Sequence, residues 1–179
     1  MLELKKRIGV SCKSDKGFTL IELLVVMSII AIMSTIVLAS VSMARQKARN
    51  AQQKTDLKSV ALALQSYYID NSSYPSTGGA WYSSEAGDAV SNNEGVYIPN
   101  LAPSYIPALP RSRGGPVSAA PACSGAKNAY RYRSDGTNYK LMIYCGPEGT
   151  WTSSDEYYDP VYSSYAWSVC SRSSVCASW

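Results

Sequence analysis

Lys16-Gly17-Phe18-Thr19-Leu20-Ile21-Glu22-Leu23-Leu24-Val25-Val26, continued by MSIIAIMSTIVLASVSMA through Ala44, is the stretch on which the architecture turns. From Phe18 to Ala44 the only ionisable side chain is Glu22. As a helix rising 1.5 Å per residue this run reaches about 40 Å, more than a hydrocarbon layer of about 30 Å. A tilted membrane-spanning helix is predicted there. Lys5, Lys6, Arg7, Lys13 and Lys16 precede it against Glu3 and Asp15, which places the amino-terminal flank in the cytoplasm and the rest of the chain outside. Arg45, Lys47 and Arg49 on the far flank reduce that asymmetry. A secretory signal peptide fits less well, because the apolar run is long and lacks a small-residue cleavage pattern.

Glu22 is the unusual residue. A carboxylate at the centre of a spanning helix costs about 2.5–3.5 kcal/mol, less toward an end, and such a group has a partner or a function. If the chain is cut between Gly17 and Phe18, the new ammonium lies within one helical turn of Glu22, or of Glu22 on a neighbouring helix. The two charges can then pair.

The string from Lys16 to Val26 resembles the processing signature of bacterial type IV prepilins and of the related pseudopilins of type II secretion: a basic flank, Gly, Phe, a lone Glu and an unbroken apolar helix in fixed order. The resemblance implies that a membrane prepilin peptidase/N-methyltransferase cuts after Gly17 on the cytoplasmic face and methylates the new amine of Phe18. It implies that Glu22 neutralises the terminal ammonium of an adjacent subunit during assembly. It also implies an α+β, type IV pilin-like fold, with a long amino-terminal helix packed on a small antiparallel sheet.

The residues give the same division. Residues 1–17 form the cytoplasmic leader, 18–44 the hydrophobic half of the helix, 45–73 its amphipathic half, and 74–179 an extracytoplasmic head. No Pro or Gly occurs between Gly17 and Pro75. Leu57, Val60, Ala61, Leu64 and Tyr68 follow helical spacing and form a stripe expected to dock on a sheet. The helix should end near residues 70–73, before Tyr74-Pro75. Residues 76–93 read as a surface loop and 97–110 as a Pro-rich connector with a helical turn around 102–106. Residues 129–133 and 139–145 flank a turn at 134–138 and read as a hairpin, with a third strand around 165–169.

Chemistry has few candidates among the 179 residues, because there is no His and Lys+Arg number 17 against 13 Asp+Glu. Asp/Glu, Lys, Tyr and Cys remain, and they form no acid-base or nucleophile constellation, so an enzyme is not expected. Cys12 lies in the leader, leaving Cys123, Cys145, Cys170 and Cys176, an even set expected to form bridges in an oxidising space. Three pairings exist. The favoured one joins Cys123 to Cys145 and Cys170 to Cys176, each closing a local loop. Zinc is disfavoured by the lack of His and of a CxxC pair.

Charge is uneven along the head. Arg111, Arg113, Lys127, Arg131, Arg133 and Lys140 face one acid, Asp135, within their span, whereas Glu148, Asp155, Glu156 and Asp159 follow with no cation among them. Solvated faces, complementary contacts between subunits and a DNA-binding stripe are the three explanations. Arg131 and Arg133, alternating with Tyr130 and Tyr132, would carry the last by charge and stacking. The resemblance to major pseudopilins brings a structural calcium ion into view, with Asp155, Glu156 and Asp159 as ligands, although their spacing lacks the EF-hand pattern. No other cofactor is expected.

The expected function is a structural subunit of a type IV pilus-like filament. Its precursor would cross the inner membrane once, meet the peptidase and an inner-membrane assembly platform, and join other pilin subunits in an extracellular or periplasmic fibre. The alternatives are a pseudopilin of a type II secretion system and a minor pilin whose basic head binds DNA or surfaces.

Overall fold

The computed structural model describes residues 17–90, 96–112, 117–118 and 120–179. Residues 1–16 of the leader lie outside them, as do Arg113 and residues 91–93 of the expected loop. The elements are helix α1 (Leu20–Asn71), strand β1 (Tyr82–Ser83), a 3-10 turn (Pro121–Cys123), strands β2 (Ala129–Ser134), β3 (Tyr139–Tyr144) and β4 (Ala166–Cys170), and helix α2 (Ser173–Ser178). The chain divides into two compact units, Met1–Met43 and Ala44–Trp179.

In the first unit the chain from Leu20 onward is helical, and its described side chains are exposed. Phe18, Leu20 and Ile21 are 87%, 82% and 70% exposed, and Leu38 is 73% exposed. The helix is long and apolar enough to cross a membrane. The hydroxyls within it are turned onto the helix itself: Ser28, Ser34 and Ser40 donate to the carbonyls of Leu24, Ile30 and Ile36, and Thr35 to that of Ile32. Each polar side chain is thereby satisfied without water, which suits it to an apolar medium.

The second unit has its own core. Leu57, Val60, Ala63 and Leu64 from α1 pack against Tyr130 and Tyr132 of β2, Tyr139, Leu141 and Ile143 of β3, and Trp167 of β4, with Tyr97, Ile98 and Leu101 of the connector closing the layer. The stripe on α1 differs from expectation at its end. Tyr67 packs on the core, while Tyr68 is 44% exposed and lies against Tyr74 with ring centroids 4.7 Å apart. Position 67 lies three residues past Leu64, and Ala63 rather than Ala61 is buried, so the stripe follows a slightly different azimuth.

The sheet is antiparallel with order β1-β2-β3-β4. Ala129 pairs with Tyr144 and Ser134 with Tyr139 across the hairpin, and Lys140 pairs with Cys170 on the other side of β3. At the hairpin turn Asp135 Oδ1 accepts from the amides of Thr137 and Asn138 at 2.8 and 2.7 Å, and Gly136 takes a φ of 91° that a side chain would resist. The connector forms a helical turn, with the Tyr105 amide bonded to the Leu101 carbonyl at 2.9 Å.

The stretch read as a surface loop after Pro75 contains an ordered strand instead. Tyr82 pairs with Tyr132 and Ser83 with Arg131. Thr77, Ser83, Ser84 and Asp88 are buried there, held by hydroxyl bonds such as Thr77 Oγ1 to the carbonyls of Ala80 and Ser134. Buried polar residues of this kind leave no apolar alternation for a sequence reading to find.

Candidate functional site

The amino-terminal segment is built by a reciprocal cap. Thr19 precedes the first turn of α1, and its Oγ1 accepts from the Glu22 amide at 3.3 Å. Glu22 Oε2 in return accepts from the Thr19 amide at 2.9 Å and the Thr19 hydroxyl at 2.7 Å. This is a capping box, in which orphan donors of the helix start are satisfied by the side chains three residues apart. The T-x-x-E spacing of Thr19 and Glu22 is the signal for it in the sequence. The carboxylate is thus held at the helix start, beside Phe18, with no cation paired to it among the described residues. Gly17 is exposed, and a Cβ there would meet nothing within 4 Å. No contact among the described residues demands glycine at that position.

In the head the four cysteines form two bridges, Cys123 with Cys145 and Cys170 with Cys176, each with Cα atoms 5.7 Å apart. The first is buried and closes a separation of 22 residues; the second is half-buried and closes 6, tying β4 to α2. Chain entropy favours them by about 3 and about 2 kcal/mol.

The charged residues singled out from sequence are placed otherwise than as open ligands. Arg131 is 6% exposed, with Nη2 at 2.5 Å and Nε at 2.8 Å from the Asp88 carboxylate and its guanidinium 3.6 Å from the Tyr144 ring centroid. It is therefore not an exposed strand-binding cation, and the alternation with Tyr130 and Tyr132 has a simpler cause: on β2 the arginines face one side and the tyrosines the core on the other. Arg133 lies 5.9 and 4.8 Å from the ring centroids of Trp81 and Trp179.

The acidic run is likewise matched to cations. Glu148 takes a two-pronged bond from Arg49, Nε to Oε1 at 2.5 Å and Nη2 to Oε2 at 2.8 Å. Asp155 accepts Lys54 Nζ at 3.0 Å, and Asp159 faces Lys140 Nζ at 2.9 Å. Glu156 is exposed. Asp155, Glu156 and Asp159 are thus not gathered as a calcium ligand set, and among the described residues no three His, Cys, Asp or Glu side chains are grouped to hold a metal.

Two of these pairs are buried. Lys140 and Asp159 are both 0% exposed, and Lys140 Nζ also donates to the carbonyls of Cys176 at 3.0 Å and Trp179 at 2.5 Å. Burial lowers the lysine pKa and Asp159 opposes that. For Asp88, burial raises the pKa, but the hydrogen bonds from Arg131 and Ser83 outweigh it, and the carboxyl lies below its usual range.

With the geometry in place, comparison with known proteins is decisive at the amino terminus. Residues 12–38 match the prokaryotic N-terminal methylation motif. The chain is 40% identical over 65 residues to type II secretion system core protein G of Pseudomonas aeruginosa, covering 36% of this chain and 46% of that one. The chain is thus similar to type IV pilins and type II secretion pseudopilins, most clearly over its amino-terminal segment.

Other relatives agree. A type IV wide pilus major component of Thermus thermophilus is 39% identical over 64 residues, 36% of this pilin-like chain and 49% of that one. Core protein G of Klebsiella pneumoniae is 28% identical over 144 residues, 79% of this chain and 91% of the relative. The first and third of these comparisons therefore differ in reach: this chain spans less than half of the Pseudomonas protein but most of the Klebsiella one. No solved structure matches. The α+β arrangement of a long amino-terminal helix on a four-stranded antiparallel sheet is pilin-like.

Proposed function

We propose that this chain is a structural subunit of a pilin-type filament, made as a single-pass inner-membrane precursor and polymerised through the amino-terminal half of α1. The observation that supports this most is the contrast between an apolar helix with every described side chain exposed and one carboxylate beside Phe18 without a cation. Transferring each exposed Leu, Ile or Val from water to an apolar surrounding gains about 1.5–3 kcal/mol, so the segment requires lipid first and neighbouring helices afterwards. A contact between copies that repeats without closing extends into a fibre.

The chemistry of maturation follows from the same residues. A prepilin peptidase/N-methyltransferase hydrolyses the Gly17–Phe18 bond and methylates the exposed amine. That ammonium then meets the Glu22 carboxylate of an adjacent subunit in the apolar core, where the low dielectric strengthens the attraction. Assembly exchanges the bonds that Thr19 makes to Glu22 for this ion pair, or adds the pair to them. The exposed helix segment thus serves as both membrane anchor and filament core, while the bridged head faces out.

The test is mass spectrometry of the protein purified from bacterial membranes that contain the peptidase. The expected product starts at N-methylated Phe18. Gly17→Leu is expected to retain the leader in more than about nine-tenths of the protein, and Glu22→Val to be processed normally but to yield at least tenfold less fibre. Fibres built from a chain that still starts at Met1 would overturn the proposal. A second reading, a pseudopilin of type II secretion rather than a surface pilus, is supported by the alignment that covers 91% of the Klebsiella core protein G. Loss of an exported enzyme from the medium on deletion, with surface fibres unchanged, would favour it.

A further inference from the structure

The outer end of the apolar run is followed by cations to which the filament reading gives no role. As a helix, residues 23–44 rise about 33 Å, close to a hydrocarbon thickness of about 30 Å, which puts Glu22 and Arg45 at its two edges. Arg45, Lys47 and Arg49 come directly after, on the side where the bias toward cytoplasmic cations disfavours them. Helix α1 continues through all three to Asn71.

The head takes up some of these charges and leaves others at the surface. Arg49 is held by Glu148 through two bonds, at 2.5 and 2.8 Å, and Lys54 by Asp155 at 3.0 Å. Gln46 is half-buried, and a Cβ on Gly149 would come within 2.9 Å of its Nε2, so the loop that carries Glu148 reaches α1 at this level. Arg45 and Lys47, on either side of Gln46, are exposed and form no ion pair among the described residues. Because both prongs of Arg49 occupy Glu148, that acid neither neutralises Arg45 nor repels an incoming anion.

Position and charge together choose the partner. An exposed cation just beyond the hydrocarbon edge lies at headgroup level, and its long stem lets the charge reach a phosphate while the methylenes stay against apolar surface. Successive helical residues turn by about 100°, so Arg45 and Lys47 lie on nearly opposite sides of α1. One small anion cannot touch both. Two lipids flanking the helix can, with the guanidinium fork matching two phosphate oxygens and the ammonium acting as a point charge on the other side.

We propose that Arg45 and Lys47 bind the phosphate headgroups of anionic phospholipids in the leaflet that faces the head, and so hold the precursor at a fixed depth. Departure from the membrane then requires both contacts to be broken. The site rests on the single-pass membrane reading given above, and not on polymerisation.

The experiment uses the full chain, 15N-labelled, in micelles of an uncharged detergent. The Arg45 Nε–H signal and the backbone amides of residues 45–47 are followed during titration with dihexanoylphosphatidylglycerol, with dihexanoylphosphatidylcholine and inorganic phosphate as comparison probes. Saturable shifts are expected with the anionic lipid, about thirtyfold tighter than with the zwitterionic one, each cation supplying about fivefold. Arg45→Gln and Lys47→Gln are each expected to weaken binding by about that single factor, and the double variant to bind both lipids alike. Both positions are exposed, so the near-ultraviolet circular dichroism of the head stays that of the parent. Equal affinity for the two lipids overturns the proposal, as do shifts confined to the leader cations Lys5, Lys6 and Arg7, or inorganic phosphate bound as tightly as the lipid. A double variant that keeps its lipid affinity but loses fibre yield overturns it too, and gives the cations to contacts between subunits. Failure of the membrane reading looks different: the parent chain is then washed from bacterial membranes by alkaline carbonate, and the lipid site falls with it.

Discussion

The head and the apolar segment of α1 carry their charges in opposite ways. In the head, buried cations and acids meet within the chain: Lys140 with Asp159, and Arg131 with Asp88, all 8% exposed or less at the side chain. In the apolar segment Glu22 has, among the described residues, the amide and hydroxyl of Thr19 as its partners. The same division holds for apolar surface, with Leu57, Val60 and Leu64 fully buried and Leu24, Ile30 and Ile36 58%, 58% and 66% exposed. Among the described residues, one helix therefore carries both a part whose charges and apolar surface are matched within the chain and a part in which they are not.

The sharpest way to test that division is to remove one charge from each part. Lys140→Met leaves Asp159 buried without its cation and is expected to destabilise the head by about 3–5 kcal/mol. Glu22→Val is expected to shift head stability by less than about 0.5 kcal/mol, as for a surface change away from packed structure. Near-ultraviolet circular dichroism during urea unfolding of the full chain in micelles suits the comparison, because every Trp and Tyr lies at or after Tyr67. Equal losses from the two substitutions would contradict the division.

A pair of leucines sharpens it for packing. Leu64 is 0% exposed, and Leu64→Ala removes buried volume from the centre of the α1–sheet layer. A loss of about 2–5 kcal/mol is expected by the same measurement. Leu24 is 58% exposed, and Leu24→Ala is expected to leave the unfolding midpoint of the head unchanged while reducing fibre yield. A head destabilised by Leu24→Ala would mean that the apolar segment supports it after all.

Much of this division was legible in the residues. The run from Phe18 to Ala44 announces an apolar helix with one acid, and the alternating residues of β2 and β3 around Asp135-Gly136 announce the hairpin. Leu57, Val60 and Leu64 give the docking stripe because their spacing is a local property of one element. The charge pairs were not legible, because their members are remote: Arg49 and Glu148 are 99 positions apart and Lys54 and Asp155 are 101. An acidic run read alone suggests an open surface, whereas folding supplies it with Arg49 and Lys54 from α1 and Lys140 from β3. Strand β1 escaped for a related reason, since Ser83 is buried by hydrogen bonds with Asp88 rather than by apolar contact. Composition records what a side chain is, and a polar side chain buried with a distant partner looks the same as a solvated one.

The smallest of the expected effects follows from one such remote pair. Asp88 has its folded-state pKa below the ordinary value of 3.8, burial being outweighed by the bonds from Arg131 and Ser83. The unfolded chain therefore takes up a proton first as the medium is acidified. The stability due to this pair is present above pH 3.8 and is lost as pH falls from there through the depressed folded value. Asp88→Asn lacks the titrating group and is expected to start lower at pH 7, by about 1.5–3 kcal/mol for hydrogen bonds to a charged group, and to lose less between pH 4 and pH 2. Urea midpoints across that range check it, and the two proteins should converge toward the acidic end. Parallel curves would mean that Asp88 is not ionised against Arg131 in the folded head, and that this part of the chain does not complete its own charges.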